Sequence, residues 1–278
     1  MLLIKNARQV VSPHPSEVPL SGDRLGDLNI LSKTDIAIEN ETILEVGQNL
    51  DYPDATILDA SGMVVVPGFV DPHTHMIFAG SREHELMWKL EGKSYQDILA
   101  EGGGIMRTVN ETRAASEDEL KKQSLQRFRQ AVKHGTTTIE IKSGYGLDLD
   151  TEIRQLQVAK WLGEQGLAEV VSTFMGAHAF PSDVSREQYI SLIIDEVLPA
   201  VQDLAEFCDV FCEKGAFSVD ESRVILEAAK NLGLESRIHA DEFDDIGASN
   251  LAAELKAISA DHLVVSSKEA FRNLKNAG

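Results

Sequence analysis

Two histidines stand two residues apart, His73 and His75, where the apolar residues Val64-Val65-Val66 and Phe69-Val70 give way to Asp71-Pro72-His73-Thr74-His75. Side chains two apart on a strand share a face, so both imidazoles can aim at one point. Neutral imidazole nitrogens suit zinc or ferrous iron, and three of them around an open coordination position make a hydrolytic metal site. His239 closes a later apolar stretch and can supply a third nitrogen, while His178 and His262 follow two others. A lone histidine at a strand end is ordinarily a hydrogen-bonding residue. A His-x-His pair with further histidines at equivalent strand ends reads instead as a metal centre. His14, His84 and His134 do not share that pattern and read as surface or packing residues.

The elements that must position these rings alternate. Strands are expected at 69–71, 137–141, 170–174, 207–211, 236–239 and 257–260, with helices at 117–133, 150–165, 186–201, 219–232, 246–255 and 267–277. The helical assignments rest on period 3.6, clearest where Ile225, Ala228, Ala229 and Leu232 form one apolar stripe. Strand and helix in alternation predict a parallel sheet buried on both faces. No glycine-rich dinucleotide loop follows the first strand, which favours a (β/α) barrel over a doubly wound sheet. Gly102-Gly103-Gly104 lacks phosphate-loop spacing and reads as a flexible loop on the substrate side. In such a barrel the strands' C-terminal ends carry the site, which is where His73, His75, His178, His239 and His262 fall.

The first sixty-odd residues differ, with short alternating stretches separated by Pro, Gly, Asn and Asp clusters. The expected fold is therefore α/β: residues 1–65 as the N-terminal part of a small composite β-domain, and residues 66–278 as an incomplete (β/α)8 TIM-type barrel of about six βα units, lacking strands seven and eight. Net charge is -19, from 26 Lys and Arg against 45 Asp and Glu. Such a surface repels phosphate backbones and anionic headgroups, so neither nucleic acid nor membrane is expected as a partner. No apolar window approaches a spanning helix or a secretory signal, and a cytoplasmic protein is the plain expectation. Cys208 and Cys212, four apart in an apolar run, read as buried thiols.

The segment PGFVDPHTH, preceded by a small β-domain, resembles the amidohydrolase superfamily. Within it the resemblance is to the imidazolonepropionase family, carried by FAGSRxxE at 78–85, EGGGI at 101–105, EIKSGYGLD at 140–148, FMGAHAFP at 174–181, HADEF at 239–243 and SADHL at 259–263. It runs the length of the chain. The resemblance implies hydrolysis of the ring of 4-imidazolone-5-propanoate to N-formimidoyl-L-glutamate, in histidine degradation, by a metal-activated water. It implies one zinc or iron ion on His73, His75 and His239. Arg82 would pair with the propionate, a role suited to a planar bidentate cation in an acidic protein. Tyr145, with Tyr95 beside it, would hydrogen-bond substrate, and His178 would contact the ring or its carbonyl oxygen. Glu242 would reach a ring nitrogen, and His262 would orient or deprotonate the attacking water.

The same resemblance places a further metal-binding aspartate after strand eight, beyond the six units found. Asp241 and Asp261 lie on strands that already provide His239 and His262 and are not expected to replace it. These 278 residues are thus expected to be an incomplete version of a longer enzyme, inactive or feeble alone, with unpaired edges on strands one and six. The implied partner is a small-molecule substrate, and a homodimer would suit the family. Two other functions fit the histidines: another cyclic-amide or cyclic-amidine hydrolase or deaminase of the superfamily, and a non-catalytic degenerate barrel.

Overall fold

The structure, a computed structural model, describes residues 1–17, 19–93, 97 and 101–278. Tyr95 lies outside the described residues. Two compact units meet in sequence between Gly68 and Phe69.

In the first unit, alternating apolar residues form β1 (Leu2–Pro13), β2 (Leu28–Glu39), β3 (Thr42–Gly47), β4 (Thr56–Asp59) and β5 (Val64–Val65). The sheet order is β3-β2-β1-β4, and β5 also pairs with β1. Asn40 and Glu41, both at positive φ, make the two-residue turn from β2 to β3. The register of β1 against β2 slips between Ile4 and Ala7, where Asn6 takes a left-handed conformation (φ 61°). Asp35 stabilises that bulge, accepting the Asn6 N–H at 2.7 Å on one oxygen and the Leu50 N–H at 3.0 Å on the other. Leu3, Ala37 and Leu50 form the small core.

Among the described residues, the second unit holds six parallel strands: β6 (Phe69–Asp71), β7 (Thr136–Lys142), β8 (Glu169–Ala177), β9 (Phe207–Cys212), β10 (Glu235–Ala240) and β11 (Ser259–His262). They lie in the order β11-β10-β9-β8-β7-β6. Ile139, Ile141, Phe174, Val210 and Ile238 are fully buried, as a parallel sheet with helices packed on it requires. Although β6 and β11 are the two edges, His73 Nδ1 lies 3.0 Å from Asp261 Oδ2. The sheet is therefore curled, and its C-terminal ends meet around a mouth, as in part of a TIM barrel. Phe69 and Val70 on edge strand β6 remain 56% and 63% exposed.

The helices are α1 (Glu83–Leu90), α2 (Ile105–Ala114), α3 (Glu117–Lys133), α4 (Leu149–Gly163), α5 (Arg186–Leu192), α6 (Leu198–Val201), α7 (Val219–Asn231), α8 (Ala248–Leu255) and α9 (Lys268–Ala277). Capping boxes start three of them, Ser116 with Glu119, Ser185 with Gln188 and Ser218 with Glu221. The helix expected at 186–201 is interrupted by a widened π-type turn over Ile193–Val197. The sixth strand begins at Ser259, two residues later than expected. The reason is local: Lys256 ends α8 in a left-handed conformation, and Ala257 N–H still bonds back to Ala252. Among the described residues, no helix is long and apolar enough to cross a membrane.

Candidate metal centre and active site

The His-x-His segment leaves β6 pinned to β7. Thr74 gives its hydroxyl to the Glu140 carbonyl at 2.6 Å, and its own carbonyl accepts the Lys142 N–H at 3.0 Å. Beyond it, Arg127 donates to the carbonyls of Met76 and Phe78 at 3.0 and 2.8 Å, and Gln155 donates to that of Ile77 at 2.6 Å. His73 and His75 are thus presented by a backbone with little freedom.

Four rings meet in the mouth. His73 lies 4.5 Å from His239 and 5.2 Å from His262 between centroids. Nε2 of His75 is 3.2 Å from Nε2 of His239. Donor atoms of His73, His239 and His262 all lie within 4.8 Å of one another. His239 Nδ1 is 2.9 Å from Asp209 Oδ1; a carboxylate only accepts, so Nδ1 carries the proton and Nε2 presents its lone pair to the mouth. His75 Nδ1 is buried without a hydrogen-bond partner. Burial, with His178 and His239 close by, keeps the His75 imidazole well below its ordinary range and so neutral. Imidazole nitrogens gathered in one mouth fit zinc or ferrous iron.

Beneath the rings lies a layer of buried charge. Lys142 is fully buried, with Nζ 2.6 Å from Glu140, 2.8 Å from Asp209 and 3.7 Å from Asp261. Arg237 pairs with Glu140 and donates to the Pro72 carbonyl at 3.2 Å, and Thr173 donates to Glu140 at 2.6 Å. Two cations face three carboxylates, so one negative charge is left in excess under the imidazoles. Burial opposes the charge of Asp209, yet His239 and Lys142 hold its carboxyl below the usual carboxylate range. The same contest of burial against His73 and Lys142 also lowers Asp261. Asp209, His239 and Asp261 form a second close set of donor atoms. Sequence reasoning missed Asp209 and Lys142 and discounted Asp261. The available signal was a charge set in an apolar strand, Lys142 at the end of β7 after Ile141 and Asp209 between Cys208 and Val210.

The other expected residues ring the mouth. His178 stacks on His75 at 4.9 Å and donates from Nδ1 to the Gly144 carbonyl at 3.0 Å. Burial, with His239 nearby, lowers it to about 4. Tyr145 lies 5.3 Å from His178 and 6.0 Å from His75, and burial raises its phenol. Its loop hangs on the buried Glu152, which accepts the N–H groups of Gly144, Gly146 and Leu147 at 3.0, 2.9 and 2.9 Å. Arg82 precedes α1 and forms a bidentate pair with Glu85, at 2.9 and 2.8 Å. Gly104 belongs to that assembly, donating its N–H to Glu85 at 2.8 Å and starting α2. Arg82, Lys89, Arg127, Phe78 and Tyr145 line a cleft of about 500 Å³. Glu242 faces His262 at 3.7 Å, and burial lowers the His262 imidazole. The Glu242 loop is held from β9, where buried Glu213 accepts the Phe243 N–H at 2.9 Å and the Asp244 N–H at 3.2 Å. His84 contacts Arg107 and His134 the Gln130 carbonyl, away from these rings.

Six parallel strands curled around converging imidazoles define a hydrolase of the amidohydrolase fold. The family described as "Amidohydrolase family" matches residues 56–104. The chain superposes on 5-methylcytosine deaminase from Klebsiella pneumoniae, liganded with phosphonocytosine, with a TM-score of 0.66 at 16% identity, covering 100% of this chain and 64% of that one. It is 45% identical over 290 residues to imidazolonepropionase of Geobacillus kaustophilus, covering 100% of this chain and 68% of that protein. Against imidazolonepropionase of Alkaliphilus metalliredigens it is 45% identical over 287 residues, again covering 100% and 68%. The chain belongs to the imidazolonepropionase family, and it spans about two thirds of the length of these relatives.

Proposed function

We propose that this chain carries the site that hydrolyses the ring of 4-imidazolone-5-propanoate to N-formimidoyl-L-glutamate, a step of histidine degradation, with one zinc or iron ion on His73, His75 and His239. The observation that carries the reading is the meeting of these rings in one mouth, with two Nε2 atoms 3.2 Å apart, in a chain 45% identical to imidazolonepropionases along its length. The bound ion supplies Lewis acidity and lowers the pKa of a water towards ~7.

The protein's own groups do the rest. A substrate carboxylate approaching a chain of net charge -19 needs local cations, and Arg82, Lys89 and Arg127 line the cleft beside the mouth. Arg82 binds the propionate, held in orientation by Glu85. Tyr145, kept protonated by burial, donates to substrate. His178 already gives its Nδ1 proton to Gly144, so its Nε2 accepts from a ring N–H. Glu242 holds the other ring nitrogen. His262 takes the proton of the attacking water as the oxygen bonds to the ring carbonyl carbon, and the proton returns to nitrogen as the carbon–nitrogen bond breaks.

The test is to follow loss of the imidazolone ring absorbance and release of ammonia together, with and without added zinc or ferrous iron. Metal-dependent ring opening without ammonia supports the proposal. Ammonia release at the same rate would mark a deaminase of the superfamily instead, and metal binding without turnover in a chain that also carries strands seven and eight would mark a non-catalytic barrel.

A further inference from the structure

Lys142 lies at the centre of the buried layer and touches none of the imidazoles. Its ammonium bridges Asp209, at 2.8 Å, and Asp261, at 3.7 Å. Each of these carboxylates in turn faces Nδ1 of a histidine: Asp209 that of His239 at 2.9 Å, Asp261 that of His73 at 3.0 Å. Asp209 also accepts the His239 backbone N–H at 3.1 Å, so it fixes both ring and main chain. Asp261 Oδ2 lies between His73 Nδ1 and the Lys142 ammonium, which draws it inward. A lysine fully buried in a strand is costly unless such partners surround it. Here three carboxylates do, on β7, β9 and β11. One side chain thus ties together β7, β9 and β11, whose carboxylates reach the expected ligands His239 on β10 and His73 after β6.

We infer that Lys142 is a positioning residue for the metal centre, acting through Asp209 on His239 and through Asp261 on His73. The ammonium sets where the two carboxylates sit, and they set which nitrogen of each ring keeps its proton and where Nε2 points. Outer partners of ligand histidines contribute about 10–100-fold to metal affinity. The inference rests on the reading that His73 and His239 hold the ion.

The experiment measures zinc affinity by chelator competition and histidine tautomers by ¹⁵N NMR of the zinc-free chain, for the parent, Lys142→Met and Asp209→Asn. Circular dichroism confirms which variants fold. Lys142→Met is expected to weaken zinc by about 10–100-fold and to turn the Nδ1–H signatures of His239 and His73 into tautomer mixtures. If Lys142→Met does not fold, Asp209→Asn decides on the same readouts. Its amide has one acceptor where the carboxylate offers two, so it can serve His239 or Lys142 but not both. Folded variants with parental zinc affinity and parental tautomers overturn the inference. A parent that binds no zinc would overturn the metal reading, and the zinc-free spectra would then decide the role of Lys142 by themselves.

Discussion

Replacing Gly144 by alanine strikes the loop that presents Tyr145 and anchors His178. Gly144 sits at φ +106°, and a Cβ there would meet the Met175 carbonyl oxygen at 2.7 Å and His178 Nδ1 at 3.0 Å. The first neighbour is backbone of a buried strand and cannot swing aside. Backbone strain at such a φ costs about 1–3 kcal/mol. Displacing His178 also forfeits its 3.0 Å bond to the Gly144 carbonyl, worth about 1 kcal/mol. The expected loss is therefore about 2–4 kcal/mol, or a fall in Tm of roughly 5–15 °C for a chain of this size. Gly166→Ala is the control: its φ is +65°, but nothing lies within 4 Å of the added Cβ, so strain of about 1 kcal/mol stands alone. Thermal unfolding followed by circular dichroism measures both. Equal shifts for the two variants would refute the reasoning, because the clash with Met175 and His178 would then carry no energy.

The remaining predictions concern neighbouring groups. Glu85 is held below its ordinary range, first by Arg82, with burial opposing. Its stabilisation is therefore full above the unfolded value of about 4.3 and is lost as pH falls through the lower folded value. Glu85→Gln should destabilise the chain at pH 7 and approach parental stability in acid; a gap that widens in acid contradicts the pairing. Burial raises the Cys208 thiol and takes Cys212 to about 11, so both should react with Ellman's reagent only after unfolding. Fast native reaction at pH 8 would contradict their placement. Glu213→Ala leaves the amides of Phe243 and Asp244 without their acceptor, each an unsatisfied group costing about 1–3 kcal/mol if it stays buried. Hydrogen exchange at these two amides should accelerate, and unchanged protection would show that Glu213 does not hold the Glu242 loop.

What the sequence revealed followed the strength of its local signals. The starts of α3, α5 and α7 fall where period 3.6 placed them, and the structure caps each with a serine and a Glu or Gln three residues later. The His-x-His pair was legible because strand periodicity placed both rings together. Helix α1 was not, because its eight residues are too few for a period to stand out, and its apolar Leu86, Met87 and Leu90 face solvent at 62%, 57% and 74% exposure. Helix α2 hides for the opposite reason: two of its three buried residues are Thr108 and Thr112. The start of α8 was expected at Ile246 and falls at Ala248, because Asp241, seven residues upstream, accepts the Ala248 N–H at 3.2 Å. Lys142 and Asp209 escaped because their meaning arises between strands, 67 residues apart, where no spacing rule applies.

The central claim is that His73, His75 and His239 hold one catalytic ion. Metal content by mass spectrometry, read beside imidazolonepropionate hydrolysis, tests it in the parent and in His73→Ala, His75→Ala and His239→Ala. The account predicts one equivalent of zinc or iron in the parent and its loss in each variant, and, in a chain extended through strands seven and eight, loss of turnover with it. A parent without metal, or turnover that survives removal of these imidazoles, would contradict it.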